Sequence, residues 1–166
     1  MGSSPTVETY VGRIKDILDD IAGPLPGGGA GKVFDRPQHS INPEDFKARF
    51  LDTDDQLRGT DIDAGVPDEF EDEARHKWWT IWSFRITHYR HFSEGEGSFA
   101  TFWNEVEAIK NAIRTNHADL WDPVPCRPEV QRVAEVENID MYPFGGILCH
   151  RATLLVRVEA AEVVAP

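Results

Sequence analysis

Residues 77–92 read KWWTIWSFRITHYRHF and constrain the fold more than any other segment of the chain. β-Branched and aromatic residues dominate this segment, which predicts a strand, and its length exceeds that of an ordinary strand, which predicts a bend or bulge. The apolar face of this strand comprises Trp78, Trp82, Phe84 and Ile86. The opposite face carries Trp79, Ile81 and Tyr89. Because aromatic residues are enriched where protein surfaces bury each other, these three residues are candidates for a subunit contact.

Two other segments have the three-and-four spacing of apolar residues that predicts an amphipathic helix. The first is capped by Ser4, has Pro5 at its first position, and ends at Gly23-Pro24. The second has Ser98 as its N-cap and ends near Asn116. Their apolar stripes are Val7, Tyr10, Val11, Ile14, Ile17, Leu18 and Ile21 in the first helix, and Phe99, Phe102, Trp103, Val106, Ile109 and Ile113 in the second.

Three further segments have the composition of strands. Residues 32–34 form a short one, and residues 129–139 and 147–159 form two longer ones joined by a turn at 142–146. Two helices packed on one face of a mostly antiparallel sheet is the economical arrangement of these elements. The sequence therefore predicts a single α+β domain over residues 1–166, and it contains no internal repeat.

The chain is strongly acidic, with 29 acidic against 17 basic residues and a formal charge of -12. Between Glu44 and Glu73 there are 12 acidic and three basic residues, so this window alone carries -9. Such a balance opposes binding to nucleic acid through phosphate contacts. Residues 37–73 are therefore predicted to be an extended acidic insertion, a loop or arm in solvent, apart from a short helix that starts at Asn42-Pro43.

A glycine-rich run at residues 23–35, GPLPGGGAGKVFD, invites comparison with a phosphate-binding loop. Aligned on Gly31-Lys32, the run places Pro26 where that motif needs its first glycine and Val33 where it needs a hydroxyl. The run also follows a helix and leads into a strand, which reverses the order that the motif requires. We interpret it as a flexible connector.

Other candidate chemistry is weak. His88 and His91 lie three apart on a predicted strand, and Cys149 and His150 are adjacent on another, so each pair points to opposite faces. Asp61 and Asp63 resemble the start of a calcium loop, but the following residues do not fit one. The sequence predicts no enzyme, no cofactor and no metal site. The alternative is a small acidic enzyme or metal-binding domain that uses His88, His91, Cys149 or the carboxylates of residues 61–73.

The sequence also bears on location. No segment has the apolar length needed to cross a membrane, and the N-terminus lacks the features of a signal peptide, so we expect a protein of the cytoplasm. Cys126 and Cys149 have no C-x-x-C spacing and are expected to be reduced.

Four segments and the order of elements together resemble the tail-terminator or tail-completion proteins of long-tailed bacteriophages, the lambda-like minor tail protein U class. The shared layout is an N-terminal helix, a glycine-bearing turn into a strand, a central tryptophan-rich strand, a capped helix and two closing strands, and it covers most of the chain. The segments are GKVFD at 31–35, WWTIWSFRITHYR at 78–90, SFATFWNEVEAIKNAIRTN at 98–116, and GGILCHRATLLVRVE at 145–159.

This resemblance implies a structural protein of the virion, assembled in the host cytoplasm. Its copies would form a homo-oligomer, a hexameric ring that caps the tail tube, stops its growth and later joins the tail to the head. The implied partners are the tail-tube protein and the head-tail connector proteins, and DNA would pass through the channel without specific binding. The resemblance carries no catalytic residue.

Four alternatives remain beside it, and one of them is another small tail protein of the phage. Residues 37–73 are longer than a minimal member of the class would need, so a neck or head-completion connector is one alternative. The small acidic enzyme and an adaptor domain without a viral role are the others. Within the ring hypothesis, the acidic charge would let DNA slide, and residues 37–73 would order on a neighbouring subunit. Deleting residues 40–65 would then leave the monomer folded but abolish ring formation or tail capping.

Overall fold

The computed structural model of the chain describes residues 6–21, 32–38, 42–51, 57–72, 77–94, 97–116, 134–144 and 146–163. These residues form three helices and six strands. In chain order they are α1 (Val7–Asp19), β1 (Lys32–Phe34), α2 (Pro43–Phe50), β2 (Arg58–Ala64), β3 (Asp68–Asp72), β4 (Lys77–His91), α3 (Ser98–Thr115), β5 (Ala134–Phe144) and β6 (Ile147–Val163).

The strands form one sheet in the order β1-β2-β4-β6-β5. β4 and β6 are its two long central strands, and they pair antiparallel over the whole length of β4. β2 and β3 follow each other along the other side of β4, both antiparallel to it, and β1 runs parallel to β2. The prediction of an α+β domain with a mostly antiparallel sheet is confirmed.

α1 and α3 pack on one face of this sheet, which we call the helix face. Alternate residues of the long strands point toward the two helices, because side chains in a strand alternate between its faces. Most residues of the predicted stripes of α1 and α3 supply the other half of this core. Its fully buried members include Ile14, Leu18, Phe84, Ile86, Phe102, Val106, Ile113, Leu154 and Val156.

The opposite face of the sheet carries a smaller apolar cluster, which α2 helps to cover. The cluster consists of Phe50, Leu57, Tyr89, Phe144 and Cys149. Phe50 comes very close to β2, since a Cβ at Gly59 would lie 2.3 Å from Phe50 Cδ1. Glycine is therefore needed at position 59 for α2 to pack at this distance.

The ends of the helices differ in part from the predictions. The first helix has Thr6 as its N-cap and Asp20 as its C-cap, so it ends earlier than residue 23. Ser4 and the glycine-rich run at 23–31 lie outside the described residues. α2 begins after Asn42, whose side chain accepts a hydrogen bond from the backbone N–H of Glu44, as predicted. α3 ends at Thr115 with Asn116 as its C-cap, close to the predicted end.

Two predictions for α3 are wrong. Its N-cap is Gly97, with φ of 98°, and the hydroxyl of Ser98 bonds instead with the ring of His150. Phe99 and Trp103, which were assigned to the buried stripe, are 54% and 38% exposed. Their place on the stripe is taken by Glu105, a charged residue that is fully buried.

The structure also differs from the prediction of an acidic arm at residues 37–73. Within this segment, residues 58–64 form β2, which lies between β1 and β4. In β2, Thr60 and Ile62 face the helices while Asp61 and Asp63 lie on the opposite face. Because Arg58 and Thr60 are polar, the face that packs on the helices has no apolar pattern in the sequence. The strands predicted at 129–139 and 147–159 correspond to β5 and β6, shifted and extended toward the C-terminus.

Candidate functional site

A buried polar cluster lies between α3 and the helix face of the sheet, and Glu105 is at its centre. His88 of β4 lies with its Nε2 3.0 Å from Glu105 Oε2. Two arginines reach the other carboxylate oxygen: Arg90 forms a hydrogen bond with it, and Arg58 Nη1 lies 3.5 Å from it. On the far side of the His88 ring, Nδ1 lies 2.9 Å from Thr60 Oγ1. The cluster thus joins α3 to both β2 and β4.

The charges in this cluster fix the state of its carboxyl group. Burial would raise the pKa of Glu105, but the hydrogen bond from His88 and the charges of Arg90 and Arg58 outweigh it and lower that pKa. Glu105 is therefore a carboxylate, which only accepts hydrogen bonds, so His88 carries a proton on Nε2. In a neutral imidazole, Nδ1 then accepts the hydroxyl proton of Thr60.

Next to this cluster, His150 of β6 occupies an aromatic environment. Its ring stacks on Phe102 with centroids 5.2 Å apart, and it also contacts Phe92 and Phe99. His150 Nε2 lies 3.0 Å from Ser98 Oγ. Burial, together with the positive charge of Arg90, lowers the pKa of His150. His150 is therefore held neutral at pH 7.

The chain of Thr60, His88 and Glu105 has the residue types of a nucleophile, a base and an orienting carboxylate. A catalytic nucleophile must touch its substrate, however, and all three residues have no exposed surface. The cluster can therefore hold a proton but offers it to no substrate. Its role is to satisfy charged groups inside the domain and to fix α3 on the sheet.

The apolar spacing of α3 does not by itself predict Glu105 as a site residue, although the sequence contains a signal for it. Glu105 lies three residues after Phe102 and four before Ile109, at the centre of the apolar stripe of α3. A charged residue is almost never fully buried unless it is paired, so a glutamate on a buried stripe predicts partners for its carboxylate. The partners cannot be read from the sequence, because they come from two separate strands.

The structure separates the other residues that the sequence suggested for chemistry. His88 lies on the helix face and His91 on the opposite face, as predicted, and the same holds for His150 and Cys149. Cys149 is buried, which raises its pKa to about 12, so its thiol is unreactive at neutral pH. Cys126 lies outside the described residues. The described residues contain no group of three acidic, histidine or cysteine side chains that could hold a metal ion.

The three candidates for a subunit contact lie on the face opposite the helices. Trp79 and Tyr89 are buried within the chain, at 4% and 9% exposure, and Ile81 is half-buried. Tyr89 packs against Phe50 and Phe144 of its own chain, and burial raises its pKa. Trp79 and Tyr89 are therefore already covered by residues of their own chain. Of the three candidates, Ile81 has the most exposed surface with which to contact a second subunit.

Exposed apolar side chains gather instead around His150 at one end of the helix face. Phe99 contacts the His150 ring and stacks on Trp103, with centroids 6.4 Å apart. Met141 pairs with His150 across β5 and β6, and Leu148 lies two residues before it on the same face. We call Phe99, Trp103, Met141 and Leu148 the apolar patch, since each is at least 38% exposed.

A surface cavity of about 540 Å³ adjoins the patch at Trp103, which belongs to both. We call it the α3 cavity, and it lies within the range of pockets that hold ligands. It is lined by one helix and two strands, with three apolar, three acidic and three basic residues: Trp103, Val136, Leu155, Glu107, Glu135, Glu137, Lys110, Arg114 and Arg157. Its formal charge is therefore zero, in contrast to -12 for the whole chain.

Comparison with known proteins assigns this chain to no family. Neither the models of protein families nor the sequences of curated proteins match this chain. Among the described residues, no helix combines the length and the apolar character needed to cross a membrane.

Proposed function

We propose that this chain is a structural protein of a long-tailed phage, whose copies form a ring that ends the tail tube and joins the tail to the head. The resemblance of residues 31–35, 78–90, 98–116 and 145–159 to the tail-terminator class supports this proposal. The order of elements supports it in part: a helix, a short strand, a long tryptophan-rich strand, a helix and two closing strands occur in this order, with α2, β2 and β3 inserted between the short strand and the long one.

The observation that carries the proposal is the apolar patch. Phe99, Trp103, Met141 and Leu148 surround one end of the helix face, and soluble chains rarely leave such a group uncovered. Aromatic residues and methionine are the types enriched at the centres of protein–protein contacts. The buried polar cluster, in contrast, reaches no substrate. A protein that functions by binding other proteins would account for both the exposed apolar patch and the inaccessible polar cluster.

The charge of the chain suits passage of DNA through such a ring. At -12, each copy repels the phosphate backbone, so duplex DNA would slide through the channel and would not bind. A hexamer is the ring size that the resemblance implies. The partners in this proposal are the tail-tube protein on one side and a head-tail connector protein on the other.

A tube-capping experiment tests the proposal. Tail tubes assembled from the tube protein alone are mixed with the purified chain and imaged by negative stain, and native mass spectrometry counts the copies in each complex. We expect closed rings with an open centre at the tube ends and an arrest of tube growth. Growth that continues unchanged, with no protein at the ends, would contradict the proposal.

Binding experiments with the same purified chain distinguish this proposal from the alternative functions. Binding to the connector at the head without any capping of tubes would identify a neck or head-completion protein. A marked rise in the melting temperature with calcium, zinc or a nucleotide, and no binding to either partner, would favour the small acidic enzyme or metal-binding domain, because a ligand that binds the native state stabilises it.

A further inference from the structure

Two histidines of the helix face have similar packing but different polar partners. The rings of His88 and His150 both stack on Phe102, with centroid distances of 5.8 and 5.2 Å. His88 bonds to the carboxylate of Glu105, whereas His150 bonds to the hydroxyl of Ser98. In the described part of the chain, no carboxylate bonds to His150. A proton added to this ring would therefore bring a positive charge that no bonded carboxylate compensates.

Two neighbours of His150 oppose such a charge directly. Arg90 is its register partner across β4 and β6, and Ser98, which bonds to its Nε2, is the first residue of α3. The N-terminus of a helix is the positive end of its dipole, so both neighbours disfavour a protonated ring. His150 is also only 4% exposed, which keeps water from such a charge. Burial and Arg90 accordingly lower the pKa of His150.

The other elements packed around His150 do not offset this effect. Glu105 of α3 is already bonded within the buried polar cluster. β5 places the apolar Met141 opposite His150. In the connection between β4 and α3, Glu94 is exposed to solvent, and Glu96 lies outside the described residues. Among the described residues, a protonated His150 therefore gains a favourable environment only by reaching water.

The first turn of α3 is the least buried part of the enclosure around His150. Ser98 and Phe99 both contact the ring, and Phe99 is 54% exposed. The turn begins after Gly97, whose backbone is in the left-handed region and whose surroundings are open. Phe102, in the next turn, is fully buried. Movement of the first turn away from the sheet therefore admits water to the ring with the smallest loss of packing.

We propose that protonation of His150 detaches the first turn of α3 from the sheet and thereby divides the apolar patch. Phe99 and Trp103 of the patch belong to α3, whereas Met141 and Leu148 belong to β5 and β6. The patch is then one surface at neutral pH and two smaller ones in mild acid. The consequence for binding rests on the proposed function, in which the patch contacts other proteins of the tail.

An NMR titration of the full-length chain between pH about 7.5 and about 5 tests the local event. The ring signals of His150 and the backbone amides of residues 98–103 should change together, with a midpoint below 6.5. Amide exchange at residues 98–103, corrected for the intrinsic effect of pH, should be at least about fivefold faster at the acid end, because protons favour the form that binds them more tightly. Residues 106–113 should keep their protection.

Two variants identify the group that titrates. His150→Gln keeps a polar partner for Ser98 and should remove the transition, whereas His91→Gln, on the opposite face of the sheet, should leave it unchanged. The inference is overturned if His150 titrates without any change at residues 98–103, if exchange rises equally throughout α3, or if the transition survives in His150→Gln. The titration of the unchanged chain decides the first two points even if that variant does not fold.

Tube capping at two pH values separates this inference from the proposed function. The unchanged chain should cap tubes at pH about 7.5 and cap at most about half as many ends at pH about 5.5, while capping by His150→Gln should not depend on pH. Tubes imaged alone at both pH values control for their own stability. Local opening in a chain that caps no tubes would overturn the proposed function alone. Equal capping at both pH values, despite the opening, would overturn the control of binding by His150.

Discussion

Glu105 shows how a single residue can organise the packing of a helix on a sheet. Its carboxylate is buried, and it contacts Arg58, Arg90 and His88, which come from β2 and β4. Desolvation makes such a group costly unless every partner is present. The cluster therefore fixes the position of α3 relative to both strands.

Glu105→Gln should lower the free energy of unfolding by about 3 kcal/mol, because it removes the buried negative charge that Arg90 and His88 contact and that lies 3.5 Å from Arg58. Urea denaturation measures this change. Glu107→Gln, two residues along α3, removes a partly exposed pair with Lys110 and should change stability by less than about 1 kcal/mol. Equal effects from the two substitutions would show that burial of the charge is not the cause.

His150 should make the domain less stable as the pH falls below about 6.5. Its folded pKa lies below the ordinary value of 6.5, so in this window the unfolded chain binds more protons than the folded one, and acid favours unfolding. Denaturation at a series of pH values from 7.5 to about 5 measures the slope. His150→Gln keeps a polar partner for Ser98 and should reduce that slope. A variant with the same slope as the unchanged chain would contradict this assignment.

At the scale of elements, the start of α3 depends on the backbone of Gly97. Its φ of 98° lies in the left-handed region, which a side chain disfavours. The preceding strand β4 ends at His91, so only a short connection turns the chain into the helix. Glycine at position 97 is what permits this turn, and it frees Ser98 to reach His150.

Gly97→Ala should therefore destabilise the domain by about 1 kcal/mol, although a Cβ at this position would meet no atom within 4 Å. Gly12→Ala is the matched control, because Gly12 lies inside α1 and a Cβ there is also unobstructed. Alanine at position 12 should stabilise the helix by up to about 1 kcal/mol. Thermal unfolding followed by circular dichroism measures both changes, and the prediction fails if they have the same sign.

At the scale of the whole molecule, the position of β2 in the sheet changes the expected effect of deleting residues 40–65. Removal of residues 40–65 was expected to leave a folded monomer, on the view that these residues form an arm. The structure places β2 beside β4, where it contributes Ile62 to the core and Arg58 and Thr60 to the polar cluster. We now expect this deletion to abolish cooperative unfolding, as measured by urea denaturation. A deletion variant with a sharp transition would argue that β2 is dispensable.

Much of the fold could be predicted from the sequence, because several elements carry a strong local pattern. Residues 77–92 have the composition of a strand, and β4 covers all but the last of them. α1 and α3 follow from their apolar spacing, and α2 follows from Asn42-Pro43. The two-layer arrangement then results from the need to bury these apolar faces. In each case the pattern that predicts the element lies within the residues of that one helix or strand.

The rest was decided by contacts between distant residues. The sequence RGTDIDA of β2 has no apolar alternation, and its place in the sheet is set by pairing with β4 and by contacts such as that of Arg58 with Glu105, 47 residues farther along the chain. The exposure of Phe99 and Trp103 likewise depends on what the tertiary packing leaves uncovered. Local patterns determine which segments become helices and strands, whereas the partners of buried charges and the uncovered apolar surface exist only once the chain has folded, because desolvation and packing act between segments.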